Sequence, residues 1–247
     1  MNNLIKAIFM AGAFSFACAR SILAYPAVLS LSVVDTATLL VTAPDGRQTG
    51  FDPVSGLKLK GSPQSAYFVQ DNSIDTDAET VDATETVYSV DYSMAQYGTY
   101  NVQLIGLKSD TYQLATSAFD GINIHPSYTV MPGVASKGSR STFRIHFSSG
   151  PAPALMVTRM ATFASTLADI GNSLELGLID NKGTADELSR EIQESESAFA
   201  KNKKREALSA FKRYVTAQNG KHISGIALQV LQEDVDSLLS PDNSTLR

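Results

Sequence analysis

After Cys18 the chain has no cysteine, it has no tryptophan anywhere, and its only histidines are His125, His146 and His222. The first absence excludes a disulfide framework and a thiolate nucleophile from everything beyond the N-terminal segment. The second removes the commonest flat platform for stacking a sugar ring, although nine tyrosines leave a weaker one. H-E-x-x-H, G-x-S-x-G, G-x-G-x-x-G and the P-loop pattern are all missing. A triad assembled only in space stays open as an alternative, but a nucleophile needs a base within hydrogen-bond reach, and no local pattern supplies one. Paired carboxylates for glycoside hydrolysis would have to come from the acidic loop described below or from Asp91 and Asp120, with no apolar pocket legible to raise a pKa.

What is present begins with an export signal. Lys6 precedes the apolar run Ala7 to Ala19, which has the length of a signal-peptide core and is too short to cross a bilayer. Cleavage is expected after Ala24, with Ala19 as the alternative, so residues 1–24 are read as signal peptide. Acylation at Cys18 is disfavoured, because Ser15-Phe16-Ala17 fits a lipobox poorly. Of the 20 Lys and Arg, Lys6 and Arg20 leave with the signal, so 18 remain against 25 acids, a net charge of −7. No later apolar run approaches the roughly 18 residues of a membrane helix. The expected location is secreted, periplasmic or cell-surface, in bacteria.

Two periodicities divide the rest. Residues 25–152 contain short alternating runs broken by turn residues, the pattern of antiparallel strands wet on one face. Candidate strands are Ala37–Thr42, Ala66–Gln70, Thr86–Tyr92, Tyr100–Ile105, Tyr112–Thr116, Ile122–His125 and Thr142–Phe147. Phe143, Ile145 and Phe147 share one face, with Arg144 and His146 on the other. The turn at Leu107–Asp110 is expected to make Tyr100, Val102 and Leu104 hairpin partners of Tyr112 and Leu114. A linker is expected at 153–159.

Residues 160–240 instead repeat apolar side chains every three or four positions, predicting four amphipathic helices. Met160, Phe163, Leu167, Ile170 and Leu174 form the first stripe, which Gly177 and Asn181-Lys-Gly183 end. Thr184-Ala-Asp-Glu187 reads as a capping box for a helix presenting Leu188, Ile192 and Phe199. The third carries Ala207, Leu208, Phe211, Tyr214 and Val215 up to Asn219-Gly220. Ser224 caps a fourth with Ala227, Val230, Leu231, Val235 and Leu238 inward, closed by Ser240-Pro241; residues 241–247 are a tail. The fold class is therefore α+β in two domains, an antiparallel β-sandwich followed by a four-helix bundle, and the resemblance given next makes the sandwich Ig-like.

Both halves resemble known modules. Leu39 to Gly56, reading L-L-V-T-A-P-D-G-R-Q-T-G-F-D-P-V-S-G, with Gly98 to Gly106 and Tyr112-Gln-Leu114 after it, resembles an Ig-like sandwich module of secreted bacterial proteins over residues 37–150. Phe163 to Thr184, Ala207-Leu-Ser-Ala-Phe211, Val215, Gly220-Lys221 and Ile223 resemble the FIMAH-type C-terminal helical domain over 160–240. These resemblances imply a secreted, non-catalytic accessory setting and no activity.

Six acids, Asp71, Asp75, Asp77, Glu79, Asp82 and Glu85, fall in fifteen residues without Lys or Arg. Asp75, Asp77 and Glu79 have the spacing of the first ligands of a calcium loop, but the turn glycine and the closing glutamate are missing. A solvated acidic loop is the expectation, with calcium as the alternative; no other metal or cofactor is expected. The run Lys201-Asn-Lys-Lys-Arg205, with Lys212, Arg213 and Lys221, reads as a solvated turn and outer helix face, because Glu191, Glu194, Glu196 and Glu206 offset it. A net-negative exported chain without basic–aromatic interleaving is not a nucleic-acid binder. The leading expectation is an exported, non-catalytic binding or adhesion protein for a glycan, envelope polymer or protein. The alternatives are a structural spacer whose helices dock a protein partner, and a hydrolase with a site assembled only in space.

Overall fold

The computed structural model describes residues 26–72, 85–121, 126–149, 155–198 and 201–241. The expected signal peptide, the calcium candidates Asp75, Asp77 and Glu79, the candidate strand Ile122–His125, Phe199 and the tail from 242 lie outside the described residues.

Among the described residues eleven strands and then four helices follow one another, and the fold is α+β. The strands are β1 (Val28–Val34), β2 (Ala37–Thr42), β3 (Gln48–Asp52), β4 (Leu57–Lys60), β5 (Ser65–Asn72) and β6 (Glu85–Tyr92). They continue as β7 (Gly98–Gly106), β8 (Asp110–Phe119), β9 (Ser127–Ala135), β10 (Arg140–Phe147) and β11 (Leu155–Met160). Two antiparallel sheets result, β5-β6-β1-β8-β9 and β11-β10-β7-β2-β3-β4. Alternation drives them together: β1 buries Leu29, Leu31 and Val33 while its serines point away, and β10 buries Phe143, Ile145 and Phe147. Tyr100 is fully buried between the sheets, its ring edge-on to Tyr92 at 5.2 Å.

Tyr100, Val102 and Leu104 do not form a hairpin with Tyr112 and Leu114, because β7 and β8 belong to different sheets. The chain crosses the sandwich at Leu107–Ser109, so both sets meet within one core rather than along one ladder. Alternation tells which face is apolar but not which neighbour supplies the backbone hydrogen bonds. The linker at 153–159 is also overturned in part, since residues 155–160 form β11 and pair with Thr142–Phe147. Leu155 and Val157 alternate inward, and this strand becomes an edge of the second sheet.

The helices are α1 (Phe163–Glu175), α2 (Lys182–Ser197), α3 (Lys201–Ala217) and α4 (Gly225–Leu239), each packed against its neighbours in a closed ring. Their core holds Ile170, Leu188, Ile192, Leu208, Phe211, Val215, Leu231 and Val235. Met160, expected in the first helix, ends β11 instead, and Thr162 caps α1 in a reciprocal box with Ser165. Gly177 follows the end of α1 at φ +69, in a Schellman arrangement: Leu178 N–H donates to Ser173 O at 2.8 Å and Gly177 N–H to Leu174 O at 3.0 Å. The cap of α2 is Asn181, whose Oδ1 accepts from Thr184 N–H at 3.1 Å, so Thr184 sits inside the helix and not at its cap. Ser224 caps α4, as the sequence suggests.

The edge strands β9 and β11 lie side by side, and α1 and α4 pack onto them. An edge strand exposes unpaired backbone groups, so the helical ring covers the side of the sandwich most in need of cover.

Candidate functional site

The seam between helices and sandwich is built around Arg159. It lies on β11 next to the last strand residue, at a position 4 % exposed, with its guanidinium 5.0 Å above the Phe143 ring. Nη2 donates to the Pro132 carbonyl of β9 at 2.6 Å and lies 3.5 Å from the Tyr112 hydroxyl of β8. Nε donates to Glu233 Oε2 at 3.3 Å and stands 3.8 Å from Asp234 Oδ1, both on α4. Nη1 is 3.5 Å from Asp169 Oδ2 on α1. One side chain thus holds both sheets and two helices. Ala161 N–H adds a hydrogen bond to Ser237 Oγ of α4 at 2.8 Å.

Helical periodicity puts the carboxylates there. On α1, Thr166, Asp169, Ile170 and Ser173 form the buried stripe, and on α4 Asp234 follows Val230 and Leu231 by four and three residues. Asp169 is 6 % exposed and Asp234 1 %, and neither oxygen of Asp234 finds a hydrogen-bond donor in ordinary geometry. The nearby Thr166 hydroxyl donates instead to the Thr162 carbonyl at 3.1 Å.

Burial raises Asp234 to about 6 against the pull of Arg159. Burial and then the Asp234 charge hold Asp169 well above the usual carboxylate range. Burial opposes the charge on Arg159, but Tyr112, Asp234, Asp169 and Glu233 together raise its pKa, and it stays a cation. Tyr112 is pushed up by burial and remains a neutral phenol. Beside the cluster opens a cleft of about 210 Å³, lined among others by Arg140, Thr142, Thr162, Asp169 and Asp234. β9 passes close over Tyr112 only because residue 133 is glycine: a Cβ there would lie 2.0 Å from the Tyr112 Cζ.

No protein-family model matches this chain, and no curated protein matches it.

The residues singled out from sequence stand elsewhere. Asp91 is on β6, its carboxyl raised by burial against a hydrogen bond from Ser30, and Asp120 is buried at the end of β8. His146 is exposed on β10, and His222 Nδ1 meets Asp180 Oδ1 at 2.9 Å beside the bridge between Ile179 and Ile223. His125 lies outside the described residues. In the basic run, Lys204 stands 4.9 Å over the Phe163 ring, while further along α3 Lys212 pairs with Asp236 of α4 at 2.6 Å. Among the described residues no group of three His, Cys, Asp or Glu is placed to hold a metal, and no helix is long and apolar enough to cross a membrane. Arg159, Asp169 and Asp234 were not anticipated. The signal for Asp234 was present: an acid on the inward face of a helix otherwise apolar there demands a buried partner.

Proposed function

We propose that the chain is an exported, non-catalytic binding or accessory protein, whose ligand is a glycan, an envelope polymer or a protein met by the loops of the sandwich. The observation that carries this reading is how the buried charges are used. The raised carboxyl pair, Asp169 and Asp234, has the chemistry of a proton donor, but Arg159 stands against both carboxyls and the Asp234 oxygens are sealed from solvent. A general acid must reach the bond it protonates, and the sealed oxygens of Asp234 favour a role for the pair in holding the seam. Two further features support the module assignments. The Tyr100 hydroxyl, near the start of β7, donates to the Gln96 carbonyl four residues upstream at 2.8 Å, a contact similar to the tyrosine corner of immunoglobulin-like sandwiches. The four-helix array following the sandwich is what a FIMAH-type domain would add.

Tyr97 gives the binding reading a concrete surface. Its ring is 46 % exposed yet held in place, tilted on Phe147 at 5.1 Å with its hydroxyl donating to the Asp120 carbonyl at 2.7 Å. A fixed, half-exposed aromatic ring at a loop end is suited to stacking. Co-sedimentation of the purified chain with cell-envelope fractions and insoluble polysaccharides tests the proposal. Saturable binding reduced at least tenfold by Tyr97→Ala supports it; no binding to any fraction contradicts it. The second reading, a structural spacer, draws on the cover that α1 and α4 give to β9 and β11.

A further inference from the structure

The seam confines an unusual balance of charge. Three carboxylates, Asp169 from α1 and Glu233 and Asp234 from α4, face one cation, Arg159 from β11. From β8 the facing group is the neutral phenol of Tyr112, from β9 the Pro132 carbonyl, and from β10 Arg140, which stands at the rim of the cleft and is exposed. Water screens Asp169 and Asp234 little, and the oxygens of Asp234 have no donor in ordinary geometry, the Asp169 carboxyl and the Thr166 hydroxyl bonding it only loosely. Fully ionised, the cluster carries two negative charges in excess inside an interface. A proton on the Asp169–Asp234 pair is the smallest species that relieves this, and it needs no room.

We propose that this carboxyl pair is a proton-operated latch: acid fastens the helical ring onto the sandwich, and alkali loosens it, uncovering the edges of β9 and β11. The proposal does not depend on which ligand the sandwich binds. When the helices are undocked, Asp234 meets water and titrates near the ordinary value of 3.8; docked, it titrates near 6. Docking therefore takes up a proton between those two values, and the docked state loses stability as pH rises through that window. With 3.8 undocked and about 6 docked, the docking equilibrium is about sixtyfold weaker at pH 8 than at pH 4 from Asp234 alone. Asp169, raised as well, acts in the same direction. Asp52 and Glu187, whose values are lowered by hydrogen bonds from Ser55 and Arg190, act in the opposite direction and belong to the pH response of the whole chain. They are unchanged in a variant of the pair.

The experiment is urea unfolding of the full chain at pH 5 and pH 8, followed by the helical circular dichroism signal, in wild type, Asp234→Asn and Asp169→Asn. The amide keeps the shape of the carboxyl and removes its titration. The latch requires the wild-type midpoint to fall relative to the variants between pH 5 and pH 8, so that at pH 8 at least one variant is the more stable. Equal pH dependence in wild type and both variants overturns it, as does a wild type that gains on them toward pH 8. Should one variant fail to fold, the other carries the comparison.

Discussion

Arg159 keeps its charge where water hardly reaches, and it does so by meeting a partner from each element it touches. A cluster of this kind is often no more stable than apolar residues of the same shape, but removing a single member leaves a buried charge unanswered. Its neighbours show the same tight fit. Tyr112 presents its hydroxyl toward Arg159 only because β9 carries no side chain at Gly133, where a methyl group would overlap the ring. Gly133→Ala is expected to destabilise the chain by about 1–3 kcal/mol through overpacking. The thermal midpoint measures this, and Tyr112→Phe should leave it much less affected. At this scale the sequence was only partly legible. Asp234 on the inward face of a helix announces a buried carboxylate, whereas nothing in the pattern of β11 distinguishes Arg159 from a surface arginine. Its partners come from residues 10 to 75 positions away along the chain.

Elements were the most legible level, for a physical reason: period and caps are local. The strand Ala37–Thr42 emerges with the bounds its alternation suggests, and the helices after residue 160 follow their apolar stripes. Errors arose where two local signals compete. Thr184 and Glu187 fit a capping box, but Asn181 three residues earlier also offers a cap, and it takes the role because Lys182 and Gly183 extend the helix upstream. Asn181→Ala is accordingly expected to cost about 1 kcal/mol in urea unfolding, the usual loss for an N-cap. Of the five strands not singled out, β3, β4 and β9 are short or glycine-interrupted and β11 falls where a linker was expected. The strict alternation of Leu29, Leu31 and Val33, by contrast, made β1 legible though it was passed over. The mistaken β7–β8 hairpin is of another kind. A short turn between two alternating runs fits both a hairpin and a crossing between sheets, and only the other strands decide which forms.

At the scale of the molecule, two cores are joined along one line. The sandwich core and the helical core share no buried residue, so what unites them is the seam: Arg159, the carboxylates of α1 and α4, and the Ala161–Ser237 hydrogen bond. The helices in turn spare the sandwich two exposed edges. Arg159 couples the two cores into one cooperative unit. Differential scanning calorimetry of the wild type and Arg159→Ala tests it most directly. The expected result is one transition in the wild type, and in the variant a loss of about 3–5 kcal/mol with the transition split in two. Two independent transitions in the wild type, or a single unshifted one in the variant, would contradict it.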